Sequence, residues 1–263
     1  MEFDVTEKAF ADRIVLITGA SSGFGEATAR AFARQGARLV LVARREERLI
    51  GLATELKNAH GADSFCLALD LRDTARTSRG LEALPATWKQ VDVLVNNAGL
   101  SRGLGKLHEG EMADWEEMID VNIKGLLAVS RAVIPWMVKR NRGHVINIGS
   151  IAGREVYPGG NVYCATKYAV WALNRGMSLD LLGTPIRVST VDPGLAETEF
   201  SLVRFRGDRE RAALPYQGLK PLAAEDVAEA IVWAASRPDH VNISEMVIMP
   251  TAQRSPTITH RTQ

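Results

Sequence analysis

Short β-branched runs alternate with helical stretches along almost the whole chain, and nearly every run stops at a glycine, an amide or an acid. The runs are Arg13–Thr18, Arg38–Ala43, Ser64–Leu69, Val91–Val95, His144–Ile148, Ile186–Val191 and Met246–Met249. Strands that alternate with helices can close a core in one economical way, as a parallel sheet with helices on both faces. The spacing therefore predicts an α/β, doubly wound sheet. Neither repeats nor linkers divide the 263 residues, and a chain of that length with 46% hydrophobic residues can bury one large core. One domain is expected over residues 1–250, including a polar, arginine-rich lid at about 195–221, followed by a polar tail, 251–263, of the kind that lacks order.

In such sheets ligands bind outside the carboxyl ends of the strands, so the residues after each run are the first place to look. The first run ends in Gly19-Ala20-Ser21-Ser22-Gly23-Phe24-Gly25 and is followed at once by a helical pattern. Turns of this type bring backbone N–H groups and a helix N-terminus up to a pyrophosphate. The spacing here is G-x-x-x-G-x-G instead of the usual G-x-G-x-x-G. After the second run, where an acid would hold a ribose 2′-hydroxyl, stand Ala43, Arg44 and Arg45. Arginine suits a 2′-phosphate, which favours NADP; the alternative is that Arg44, Arg45 and Arg48 form the solvated face of the next helix. The third run ends in Asp70-Leu71, an acid that could meet an adenine amino group or cap the helix beginning near Asp73. The fourth is followed by Asn96-Asn97-Ala98-Gly99, small residues that allow close approach of a cofactor.

Two helices are expected at Met112–Asn122 and Lys124–Lys139, with Asn122 awkwardly placed for propensity. A further helix from Asn161 carries Tyr163-Cys164-Ala165-Thr166-Lys167. Residues i and i+4 share a helix face, and an ammonium beside a phenol stabilises phenolate. On that reading Lys167 lowers the pKa of Tyr163 towards neutrality and makes it a proton donor and acceptor.

Composition excludes several classes. With 32 basic against 31 acidic side chains, net charge +1, no global field draws nucleic acid or an anionic membrane. Cys66 and Cys164 are far apart, as suits a reducing compartment. The five histidines lack ligand spacing, so no metal site is expected. Residues 1–12 lack the basic and apolar regions of a signal peptide, and a cytoplasmic protein is expected. Cys164 reads as packing, and Trp171, Met177 and Leu181 as core or subunit contact.

Taken in order, these motifs resemble the short-chain dehydrogenase/reductase family over about Arg13 to Met249, which implies a Rossmann-like fold. The resemblance aligns Asn122, Ser150, Tyr163 and Lys167 with the family's catalytic tetrad, and Pro193, Gly194 and Thr198 with the nicotinamide end of its cofactor site. It implies that Tyr163 exchanges a proton with the substrate oxygen and that Ser150 holds that oxygen. Lys167 would also bond the nicotinamide ribose, and Asn122 would hold a relay water, unless Asn122 merely kinks its helix. It further implies NADP(H) as cofactor and a homotetramer. Gly159–Tyr163, Thr198–Asp208 and His240–Ile243 are similar to NADP-dependent 3-hydroxy acid dehydrogenases, which act on serine, allo-threonine, 3-hydroxypropionate and malonic semialdehyde. Sulfoacetaldehyde reductases are similar in the same places, and a neutral carbonyl substrate or a non-catalytic NADP sensor are the other readings. A small acidic substrate needs a guanidinium partner. Arg154, Arg204 and Arg206 are the candidates, although Asp208 and Glu210 interleave with the lid arginines as on a solvated face.

Overall fold

The structure is a computed structural model that describes residues 8–262. The strands are β1 (Ile14–Thr18), β2 (Arg38–Ala43), β3 (Ser64–Ala68), β4 (Val91–Asn96), β5 (Gly143–Ile148), β6 (Ile186–Pro193) and β7 (Glu245–Ile248). They form one parallel sheet in the order β3-β2-β1-β4-β5-β6-β7. The order reverses direction between β1 and β4, and a crevice opens outside the carboxyl ends of these neighbours. In register, Thr18 lies beside Val42, and Ile17 beside Val95.

Both faces are covered, which is why β1 and β2 read as nearly continuous apolar runs instead of alternating. Val15 and Ile17 point to one side, against Phe32 of α1 (Gly23–Arg34), Leu49 of α2 (Glu46–His60) and Ile231 of α9 (Ala224–Ala235). Leu16 and Leu94 point to the other. They join Leu81 of α3 (Thr74–Glu82), Val129, Val133 and Met137 of α5 (Leu126–Arg140), and Leu181 just beyond α6 (Asn161–Asp180). Each such side chain stabilises the fold by about 1.5–3 kcal/mol relative to exposure. Polar groups are buried along the sheet as well, among them His144 of β5, whose Nε2 lies 2.7 Å from Ser189 Oγ.

The pair of helices expected at Met112–Lys139 is instead one continuous rod. α4 (Met112–Ile119) passes through a π-helical turn, Asp120–Gly125, into α5. Met112–Arg140 is long and apolar enough to cross a membrane by length and composition. Here Val129, Val133 and Met137 place it in the core against the sheet. The segment expected as a lid contains α7 (Glu199–Arg204), α8 (Arg209–Ala213) and a 3₁₀ turn, Leu214–Tyr216. The tail is not the disordered extension that its polarity suggested. Gln253 is buried and its Oε1 accepts from Leu195 N at 2.8 Å, while Thr262 N donates to Gly218 O at 2.7 Å. Polar side chains can hold a segment down when they find backbone partners, a possibility that composition does not register.

Candidate active site

A cavity of about 670 Å³ occupies the crevice at the strand ends, within the usual range of roughly 300–1,000 Å³ for small-molecule and cofactor sites. Its floor is the glycine turn. Gly19 sits at φ +68°, a left-handed conformation that favours glycine. Thr18 Oγ1 accepts from the N–H groups of Asn97 and Ala98, each at 3.0 Å, and Asn97 Nδ2 donates to Thr18 O at 2.8 Å. The turn is thus tied to the end of β4. Gly19, Ser21, Ser22, Gly23 and Phe24 line the cavity, as do Asn97, Ala98 and Gly99. Gly25, expected among the cofactor contacts, does not. A side chain there would run into the Gly19 carbonyl and the Asn97 amide, so its smallness serves the packing of turn on strand.

Arg44 and Arg45 line the mouth. Arg45 is no freely solvated side chain: Nη2 donates to Ser22 Oγ at 2.7 Å, Nε to Ser21 Oγ at 3.2 Å, and Nη1 to Glu199 Oε2 at 2.9 Å. Asp70 and Leu71 line the next stretch. Asp73, and not Asp70, caps α3, its Oδ1 accepting from Arg76 N at 2.8 Å. Asp70 accepts from Arg72 instead, and despite some burial that contact holds its carboxyl below the usual range. Pro193, Gly194 and Thr198 close the far side.

Ser150, Tyr163 and Lys167 converge on the inner wall. The Tyr163 hydroxyl is hydrogen-bonded to Ser150. Lys167 Nζ donates to Ile148 O at 2.9 Å and lies 5.9 Å from the centre of the Tyr163 ring. The expected lowering of the Tyr163 pKa is not found. Burial and the neighbouring Tyr157 push it upward, outweighing Arg204 and the Ser150 bond, so the phenol keeps its proton. Burial also acts on Lys167 and lowers it to about 8, against the opposing charge of Asp192. Asn122 stands apart from the cavity wall, buried in the π-helical turn. Its Oδ1 accepts from Leu100 N at 2.8 Å, and its Nδ2 donates to Leu100 O at 2.8 Å and Thr166 Oγ1 at 3.0 Å. The π-turn is the structural reason an asparagine is tolerated in mid-helix, since it opens the i→i−4 ladder where the side chain is needed.

The three candidate arginines separate cleanly. Arg154 points away from the cavity, with Nε donating to Asp192 Oδ2 at 2.7 Å and Nη2 to Glu245 Oε2 at 2.5 Å. Arg206 is exposed and paired with Asp114. Arg204 alone of the three lines the cavity. Its guanidinium lies 5.3 Å from the Tyr163 ring centre and 5.1 Å from that of Phe200, and Nη2 donates to Tyr157 OH at 2.9 Å. Its Nε is buried without a hydrogen-bond partner among the described residues, an unsatisfied donor on a residue that lines the site.

Tyr157, Phe200, Asp192 and Glu199 were not singled out in the sequence. Tyr157 carried no signal, being a single tyrosine in a loop. Asp192 could have been found, because an acid at the carboxyl end of β6 in an apolar run must be buried or paired. Its carboxyl is pushed up by burial, against bonds from Thr190 and Arg154. Among the described residues no cluster of potential metal ligands occurs.

Similarity to known proteins agrees with this geometry. Residues 13–207 match the family model for short chain dehydrogenase. The chain belongs to the short-chain dehydrogenase family. Within it, the NADP-dependent 3-hydroxy acid dehydrogenase of Escherichia coli strain K12 is 48% identical over 241 residues, 91% of this chain and 96% of that one. Serine 3-dehydrogenase of Agrobacterium fabrum is 42% identical over 240 residues, 91% of this chain and 94% of that one. The closed form of a serine dehydrogenase solved with NADP⁺ is 46% identical, with a TM-score of 0.88 over 95% of this short-chain dehydrogenase and 100% of its own chain.

Proposed function

We propose that this short-chain dehydrogenase is an NADP-dependent enzyme that interconverts small 3-hydroxy acids with the matching 3-oxo acids or semialdehydes. The observation that carries the acidic substrate is Arg204, a cation beside the Tyr163 ring with a buried, unpartnered Nε. The named activities of its relatives support the same reading, and the glycine floor and mouth arginines fit a 2′-phosphorylated dinucleotide.

The nicotinamide ring would supply or accept the hydride. Everything else falls to side chains of this chain. Tyr163, kept protonated by burial, donates to the carbonyl oxygen during reduction and is reprotonated from solvent; in oxidation it first loses its proton to solvent, and the phenolate then takes the alcohol proton. Ser150 donates to the same oxygen and holds it against Tyr163, which supplies both orientation and stabilisation of developing negative charge. Lys167 is a buried cation that would bond the nicotinamide ribose, and Asn122 fixes the Leu100 peptide. Arg204 holds the substrate carboxylate as the guanidinium beside the Tyr163 ring. Gly19, Ser21, Ser22, Gly23 and Phe24 cradle the pyrophosphate, Arg44 and Arg45 take the 2′-phosphate, and Asp70 and Leu71 flank the adenine. Asn97, Ala98, Gly99, Pro193, Gly194 and Thr198 flank the remainder. Assembly as a homotetramer in the cytoplasm belongs to the same proposal, and sedimentation of the purified protein tests the first half of it.

The deciding assay follows NADPH absorbance with malonic semialdehyde, sulfoacetaldehyde and a neutral ketone. Fast oxidation with malonic semialdehyde, lost in Tyr163→Phe, is the expected result. Preference for sulfoacetaldehyde would reassign the acid group to a sulfonate, and equal rates on the neutral ketone would remove the role of Arg204.

A further inference from the structure

One carboxylate ties the lid to the arginines at the end of β2. Glu199, the first residue of α7, accepts from Arg45 Nη1 at 2.9 Å through Oε2 and from Arg48 Nη1 at 2.7 Å through Oε1. The two pairs span more than 150 residues of sequence and cross the mouth of the cavity, which Glu199, Arg44 and Arg45 all line. Although some burial works against it, these bonds hold the Glu199 carboxyl below the usual range, so it is ionised at neutral pH. Three further donors of Arg45 are spent on Ser21 and Ser22. Arg44 makes no hydrogen bond among the described residues and is exposed.

We propose that Glu199, which Arg48 holds in place, competes with the cofactor's 2′-phosphate for Arg45, so that latching the lid and holding a 2′-phosphorylated nucleotide oppose each other at this corner. The inference rests on the NADP reading above. A phosphate monoester carries close to two negative charges at neutral pH and binds guanidinium through the same planar fork as a carboxylate. It cannot take the Nη1 edge of Arg45 while Glu199 holds it, and the two anions repel each other when both approach. Arg44, left uncommitted, is then the arginine that meets the phosphate first. Glu199 thereby acts as a positioning and specificity residue: it keeps the lid registered on the cofactor turn and weakens the hold on the phosphate, which favours product-cofactor release.

The test uses the full chain, titrated calorimetrically with adenosine 2′,5′-bisphosphate and with adenosine 5′-monophosphate, in wild type, Glu199→Gln and Glu199→Asp. Both arginine pairs are solvent-facing and worth little each, so Glu199→Gln is expected to tighten the bisphosphate by roughly three- to tenfold at low salt. The monophosphate should be unchanged, Glu199→Asp should return towards wild type, and the gain should shrink as salt rises towards about 1 M. Equal changes for both nucleotides, a selective weakening of the bisphosphate, or loss of both would overturn the proposal. A wild-type protein that does not distinguish the two nucleotides would overturn the NADP reading and this inference with it. A wild-type preference that Glu199→Gln leaves untouched would overturn this inference alone.

Discussion

The two halves of the cavity are built by different means. The cofactor half is backbone and small side chains: the turn after β1 is bonded to the end of β4 and packed so closely that Gly25 has no space for a methyl group. The substrate half is made of long side chains, Arg204 and Phe200 on the lid and Tyr157 on the loop before α6, held by ring contacts, single hydrogen bonds and charge. Main-chain scaffolding fixes a ligand common to many enzymes, whereas long side chains on short helices can be exchanged without disturbing the sheet. The contrast explains why one fold carries many substrate preferences, and it predicts that the halves fail differently.

The largest effect is expected where the halves meet. Tyr163→Phe should lower turnover by about 10²–10⁴-fold, the usual worth of a general acid, while NADPH binding measured by fluorescence stays within about twofold. In the substrate half, Arg204→Met should reduce kcat/KM for an acidic substrate by about 10–100-fold, the scale of a charged hydrogen bond. It should leave a neutral ketone nearly unaffected. Arg206→Met, on the exposed pair with Asp114, should match wild type in the same assay. In the cofactor half, Gly25→Ala should cost about 1–3 kcal/mol through overpacking, lowering Tm and NADPH affinity together. Gly176→Ala, where a methyl group meets nothing within 4 Å, should lower neither.

Acid separates the sheet from the lid. His144 beneath the site is held neutral by burial, aided by the nearby charge of Arg187, which lowers it from 6.5 to about 3. Between those values the unfolded chain binds a proton that the folded chain refuses, so the stability is fully present above about pH 6.5 and is lost as pH falls towards 3. The slope from this one group should approach a tenfold fall in the folding equilibrium per pH unit. Urea titrations from pH 7 to 4 should show the slope, and His144→Gln should flatten it. Lid contacts through Glu199, whose carboxyl sits below its usual range, should survive through most of that window.

The same contrast governs what the sequence could tell. The sheet was legible because a parallel strand covered on both faces is mostly apolar, and Arg38–Ala43 and Ala224–Ala235 could be bounded to the residue. The glycine turn and the Tyr163 and Lys167 spacing were legible because they depend on local geometry. The arginines were not. Arg154, Arg204 and Arg206 have the same charge and reach, and what separates them is which acid stands nearby in space: Asp192, none, or Asp114. The direction of the Tyr163 shift was missed for a related reason, since helical spacing gives the distance to Lys167 but says nothing about desolvation.

The tail has a mechanical consequence. Its Gln253 grips Leu195 at the start of the lid, while Arg261 and Thr262 hold Pro215, Gln217 and Gly218 near the end. The lid is therefore pinned at both ends by a single strap, and it cannot swing on one hinge like a flap. To admit a substrate it must either bow outwards between its pins or peel the strap away. Any load carried by the tail would pull on the buckle of that strap.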